Sequence, residues 1–185
     1  MQSGGYEFVD LGLSSGLLWA TCNVGATKET DCGNYYQWGA GAVTYKNEDQ
    51  YHVGSYDDTY TLPSSADTAT QVMGEGWRMP TKKEFSELIH ETLHEFVTDF
   101  NGSGINGYKF TSMTNPNAYI FLPYTGLYRN GELIDSSVCY WTSNPWSGWY
   151  GRTQAYRTNF FDSTYKFINT ERNCGIPVRG VISGG

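Results

Sequence analysis

Polar and apolar residues alternate with period two over Tyr6-Glu7-Phe8-Val9-Asp10-Leu11-Gly12-Leu13, the pattern of a strand with one covered face. Leu17 to Val24 predicts a second strand, and Ser14-Ser15-Gly16 the turn between them. Tyr35-Tyr36-Gln37-Trp38-Gly39 is a short aromatic segment expected to be buried at one side. Residues 40–75 are polar and irregular, with Val43, Val53 and Leu62 as the apolar anchors. A loop of that length in a compact domain is usually functional or mobile. The clearest helix signal follows. Thr81-Lys82-Lys83-Glu84 is a capping box after Pro80, and Phe85, Leu88 and Ile89 recur at helical spacing. Beyond His90, the apolar Leu93, Phe96 and Phe100 fit either a continued helix or a short strand after a turn.

Asn101-Gly102 and Asn106-Gly107 mark turns. Residues 108–111 and 119–122 predict a strand pair around Asn115-Pro116-Asn117, and a further turn is expected at Arg129-Asn130-Gly131. Later candidate strands cover 138–142, 155–161, 165–168 and 176–181. Residues 1–185 show no composition break. The pattern predicts a single α+β domain of short strands, long loops and one or two helices.

Composition narrows the function classes. The length of 185 residues suits one ordinary domain with a real core. Charged residues are 17% and aromatics 16%, with 22 Gly and 15 Tyr. Tyr and Trp beside Ser, Gly and Asn is the composition of binding loops, and equally that of half-exposed strands. The net charge of −7 argues against nucleic acid as a partner. No apolar stretch is long enough for a membrane span, so no membrane insertion is expected. The start, Met1 to Asp10, has neither the basic nor the apolar region of a signal peptide. Ser3-Gly4-Gly5 and Ser183-Gly184-Gly185 have the composition of linkers flanking an excised domain, whose export signal would lie outside it. Cys22, Cys32, Cys139 and Cys174 lack zinc-type spacing. They fit two disulfides of undetermined pairing or buried thiols.

His90-Glu91-Thr92-Leu93-His94 matches the H-E-x-x-H zinc-protease pattern. On a helix the two imidazoles would share a face and hold Zn²⁺, with the Glu as base. The match is short, no third ligand follows at a recognisable spacing, and the helical pattern weakens there. Loosely packed surface histidines are the plainer reading. The acidic residues Glu48, Asp49, Asp57 and Asp58 lack the spacing of a calcium loop. No cofactor is expected. From Cys139 to Asn173, aromatics are interleaved with Arg152, Arg157, Lys166 and Arg172. In Asn144-Pro145-Trp146-Ser147-Gly148-Trp149-Tyr150-Gly151 turn formers separate the rings, which points to partly exposed aromatics and to interface hot-spot chemistry.

Several blocks carry a family resemblance. Glu7 to Ala26 (EFVDLGLSSGLLWATCNVGA) resembles the opening of a domain of Bacteroidetes surface proteins, the Fibrobacter major paralogous domain type. Gly76-Trp77-Arg78-Met79-Pro80-Thr81, Asn106 to Thr111, Ile120 to Pro123, Tyr140-Trp141-Thr142-Ser143 and Gly175 to Arg179 resemble further elements of it. The chain departs from the pattern at Pro177, at Gly180 and across 90–100.

The resemblance implies a C-type-lectin-like fold with short twisted antiparallel strands. That fold is shared with formylglycine-generating enzymes and with variable proteins of diversity-generating retroelements. It implies a non-enzymatic module that displays a diversified face at Trp149, Tyr150, Arg157, Asn159, Phe161, Lys166, Ile168, Glu171 and Asn173. Tyr156, Thr158, Phe160, Gly175, Val178 and Arg179 would be scaffold. Asn144 and the Trp146–Arg152 loop, with Ser147 and Arg152, complete the expected contact set. The expected partner is a cell-surface protein or glycan receptor, and the expected setting a bacterial surface or a phage virion. Calcium-lectin signatures and the cysteine pair of the formylglycine-generating type have no match here. The competing readings are an enzyme, zinc-dependent or of that type, and a structural fimbrial or cell-surface subunit.

Overall fold

Gly16, at φ 72°, lets the Ser14-Ser15-Gly16 turn reverse the chain between β2 (Tyr6–Asp10) and β3 (Leu17–Asn23). In the computed structural model, which describes residues 1–48, 62–134, 137–146, 153–162 and 164–185, these strands pair antiparallel with Val9 opposite Trp19. β1 (Gln2–Ser3) joins the free side of β2. On the other side of β3 lies β13 (Arg179–Ser183), from the far end of the sequence, followed by β4 (Trp77–Arg78). The sheet order is therefore β1-β2-β3-β13-β4.

Two helices flank these strands among the described residues. α1 (Thr68–Met73) falls inside the stretch expected to be irregular, so that expectation is corrected at its C-terminal end. Its start is fixed by Asp67, whose Oδ1 accepts from Thr70 N and whose two oxygens also accept from Met79 N. α2 (Lys82–Glu91) has the expected capping box: Glu84 N donates to Thr81 Oγ1 at 3.1 Å and Thr81 N to Glu84 Oε2 at 2.8 Å. The helix ends where Thr92 turns its hydroxyl back to Leu88 O. The chain then runs straight into β5 (Thr92–Val97), so the strand is the alternative that is realised.

β5 pairs with β6 (Gly107–Ser112), and β6 with β7 (Tyr119–Pro123), placing Phe110 opposite Ile120 as the turn at Asn115 requires. A single 3-10 turn, Phe100–Gly102, lies between β5 and β6. β8 (Leu127–Arg129) and β9 (Glu132–Ile134) form a hairpin at Asn130-Gly131, both residues having positive φ. The third sheet has the order β10 (Trp141–Pro145), β11 (Gln154–Phe161), β12 (Thr164–Glu171). Among the described residues every strand pairing is antiparallel, and the class is α+β.

The core has two parts. One gathers Trp38, Trp77, Trp141, Ile176 and Val178; the other gathers Trp19, Phe85, Leu88, Phe110 and Phe160. Of the Tyr35–Gly39 segment, residues 36–39 are buried as expected and Tyr35 is half-buried, with Trp38 Nε1 donating to Thr142 O at 2.8 Å. Arg179 is fully buried and donates to Asn23 Oδ1 and to the carbonyls of Ala20, Thr21 and Phe121. It thereby ties the first sheet to β7. The four cysteines are free thiols. No helix among the described residues is long and apolar enough to cross a membrane.

Candidate binding face

β11 and β12 form one hairpin whose register fixes which side chains share a face. Arg157 is opposite Ile168, Asn159 opposite Lys166, and Phe161 opposite Thr164. Directly opposed residues project to the same side of a sheet. Arg157, Asn159, Phe161, Lys166 and Ile168 therefore lie on one face, as the period-two reading expects. Thr158 and Phe160 lie on the other face and are buried. Phe160 meets the rings of Phe85, Tyr108 and Phe110 at centroid distances of 6.4, 5.8 and 6.0 Å.

The outward face is not uniformly exposed. Its base, at Ala155, Arg157 and Thr170, is buried. Asn159 and Ile168 are half-buried. The tip is open: Phe161 is 52% exposed, and Thr164 and Lys166 are exposed. The face thus rises out of the protein along the hairpin and ends at Asp162, which takes a left-handed turn conformation with φ 53°.

Arg157 corrects the expectation of an outward contact residue. It is 7% exposed. Its Nε donates to Thr170 Oγ1 at 2.8 Å, and its Nη1 to Cys139 Sγ, Thr158 O and Asn159 Oδ1 at 3.2–3.3 Å. Ser137 Oγ also donates to Asn159 Oδ1. The physical reason is that β10 and the segment before it cover the base of the face. Trp141 is the register partner of Arg157, and Cys139 sits beneath the guanidinium. Arg157 acts as a brace under Asn159.

The other expected residues are dispersed. Asn144 is half-buried, and its Oδ1 accepts from Lys82 N at 2.7 Å, holding the start of α2 rather than facing solvent. Glu171 is exposed but opposes Gln154, so it points away from the Phe161 side. Asn173 lies past the strand end. Its carbonyl accepts from Gln37 Nε2, and the residue lines a small separate cleft with Tyr45, Asn47 and Arg129. Trp146 is half-buried, with its N–H donating to Gln154 O. Ser147, Trp149, Tyr150 and Arg152 lie outside the described residues. Tyr156, expected as scaffold, is half-buried with the Lys82 ammonium 4.0 Å from its ring centre.

Sequence reasoning missed Tyr165. It sits on the Phe160 side of β12 and is still 42% exposed, because β12 is an edge strand. Its hydroxyl meets His90 Nε2 at 3.4 Å, while His90 Nδ1 contacts Ser86 O at 2.6 Å. An Nδ1–H donor with an Nε2 acceptor satisfies both contacts. The signal that could have found it is the strand-edge position, which depends on sheet order and not on periodicity.

The H-E-x-x-H pattern is split. His90 and Glu91 close α2, whereas His94 lies in β5, half a strand away and close to Phe110. The two imidazoles do not share a helical face. Glu91 instead holds the β2–β3 turn: Ser14 Oγ and N each donate to it at 2.7 Å, and those hydrogen bonds to the carboxylate hold its pKa below the ordinary value. Among the described residues no three His, Cys, Asp or Glu side chains gather as a metal site.

Support beneath the face is polar and buried. The Tyr140 hydroxyl donates to Asn23 Oδ1 at 2.8 Å beside Arg179, and burial pushes its phenol well above the ordinary value. Burial likewise raises Cys174 and moves Tyr108 up to about 12. These groups stay neutral at physiological pH, and the Tyr140 hydroxyl acts as hydrogen-bonding structure. Comparison with family models, curated proteins and solved structures returned no match for this chain.

Proposed function

We propose that this chain is a non-enzymatic ligand-binding module of the C-type-lectin-like kind, which presents the outward face of the β11–β12 hairpin to a protein or glycan receptor at a cell surface. One observation carries the reading. Along β11 the hairpin alternates Thr158 and Phe160, locked in the core, with an outward set that becomes progressively exposed towards Phe161 and Lys166. Such a division lets contact residues differ while the scaffold stays constant. The resembling motifs support the lectin-like part, because Trp19, Trp77, Tyr140, Trp141, Val178 and Arg179 are all buried framework residues. An exposed aromatic beside a cation is also interface chemistry.

The test is binding of the purified domain to a glycan array and to fixed bacterial cells of several strains. Wild-type binding should fall at least tenfold in Trp149→Ala and in the Phe161→Ala/Lys166→Ala double variant, with melting temperature unchanged. Glu171→Ala, on the opposite side, should bind as wild type. Full binding by both of the first two variants would overturn the reading, as would an equal loss in Glu171→Ala.

A further inference from the structure

A second concave surface lies where α1, β4, the start of α2 and β10 meet. It is a cleft of about 720 Å³ lined by Leu62, Asp67, Trp77, Arg78, Met79 and Ser143, with Gln71 and Glu75 at its lip. That volume is within the roughly 300–1,000 Å³ of small-molecule sites. No residue of the outward hairpin face lines it.

Its polar groups are set by the fold. Asp67 is 4% exposed and anchored by Thr70 N and Met79 N. Arg78 makes a two-pronged contact with Glu84, through Nη1 at 2.8 Å and Nη2 at 2.5 Å. Ser143 is the unexplained member. It is 4% exposed, its N–H donates to Pro80 O, and its Oγ is buried with no hydrogen-bond partner. A buried hydroxyl left unpaired is costly, and native proteins keep few of them. A ligand that reached Ser143 would remove that cost.

We propose that this cleft binds an uncharged, hydroxyl-rich small molecule of mono- to disaccharide size. Arg78 is paired with Glu84, the Asp67 carboxylate is committed to Thr70 N and Met79 N, and Glu75 stands at the exposed lip, so among the described residues of the wall a free anion finds no unpaired cation and a free cation no unpaired carboxylate. A hydroxyl both donates and accepts, and so matches Asp67, Arg78 and the Ser143 Oγ alike. Leu62, Trp77 and Met79 supply the apolar wall that C–H faces of such a molecule require. The proposal is independent of the hairpin face.

The experiment is saturation-transfer NMR on the purified domain. The probes are glucose, galactose, mannose, N-acetylglucosamine, maltose and sucrose, with putrescine and inorganic phosphate as charged controls. At least one sugar should receive saturation, and neither control should. Ser143→Ala removes the orphan hydroxyl, so it should leave the melting temperature unchanged or higher while weakening that sugar about tenfold. Gln71→Trp fills the cleft from an exposed lip position and should abolish binding. Phe161→Ala/Lys166→Ala should leave it intact. The proposal falls if no sugar binds, if only putrescine or phosphate binds, or if sugar affinity is unchanged in both Ser143→Ala and Gln71→Trp.

Discussion

The β1-β2-β3-β13-β4 sheet and the β10-β11-β12 sheet solve opposite problems with similar materials. Each buries an arginine against a neighbouring strand. Arg179 is wrapped by Asn23 and by carbonyls of Ala20, Thr21 and Phe121, so it binds strands distant in sequence into one frame. Arg157 reaches mainly within its own sheet, to Thr170, Thr158 and Asn159, and to Cys139 just before β10. The first sheet is thus tied across β3 and on to β7 through Phe121 O, and the second is held at its base and released at its tip. The difference teaches where change is tolerated: at Phe161 and Lys166, and not one residue away at Phe160.

Adjacent positions give the strongest way to break this comparison. Phe160→Ala should lose about 3–5 kcal/mol, because a buried ring leaves a cavity among Phe85, Tyr108 and Phe110. Urea unfolding measures it, and a loss under 1 kcal/mol would mean that the inward set is not what holds the hairpin. Arg179→Met should follow with a loss of about 2–4 kcal/mol, since Asn23 Oδ1 and three carbonyls each lose the guanidinium as a donor and only Asn23 keeps the Tyr140 hydroxyl. Hydrogen exchange in β3, β7 and β13 should rise together in that variant, whereas exchange confined to β13 would contradict its role as a tie between sheets.

A smaller effect tests the anchor of α2. Burial pushes Glu84 upward, but hydrogen bonds from Arg78 and from Thr81 N outweigh it and hold the carboxyl below its ordinary value of 4.5. A lowered folded value contributes stability that is present above the unfolded pKa and is lost as pH falls through the folded one. Glu84→Gln should therefore cost about 0.5–1 kcal/mol at pH 7, discounted for the partial exposure of Arg78. The difference from wild type should vanish in acid below the depressed value. A gap that persists at pH 2 would assign the effect to packing and not to charge. Phe161→Ala should be the mildest, within about 0.5 kcal/mol by the same urea assay, since its ring is 52% exposed.

Local signals in the sequence carried much of this fold. The capping box at Thr81 placed α2, and the Asn-Gly pair at 130–131 placed the turn that joins β8 to β9, because each involves neighbours only. Helix α1 was not legible. Its cap, Asp67, is completed by Met79 N, twelve residues on, which no local pattern reveals. The end of α2 was ambiguous for a related reason. Leu93 and Phe96 have helical spacing, and pairing with Thr111 and Tyr108 in β6 decides for a strand. At the candidate face, period two gave the side of the sheet correctly for Arg157, Asn159 and Phe161. It carried no information on what covers that side, and Cys139 and Thr170 cover its base.

The position of β13 has a consequence for synthesis on the ribosome. This strand is internal to its sheet, between β3 and β4, yet Arg179 lies 156 residues after Asn23. At roughly 5–20 residues per second, the nascent chain waits about 8–30 s with β3 made and the strand that joins it to β4 not yet emerged. During that interval the edge of β3, with Trp19 and Leu17 beside it, has no native partner. Folding of the frame is thereby deferred until translation has passed Ser183, and a chain stalled before β13 is a substrate for chaperones and proteases instead of a smaller working domain.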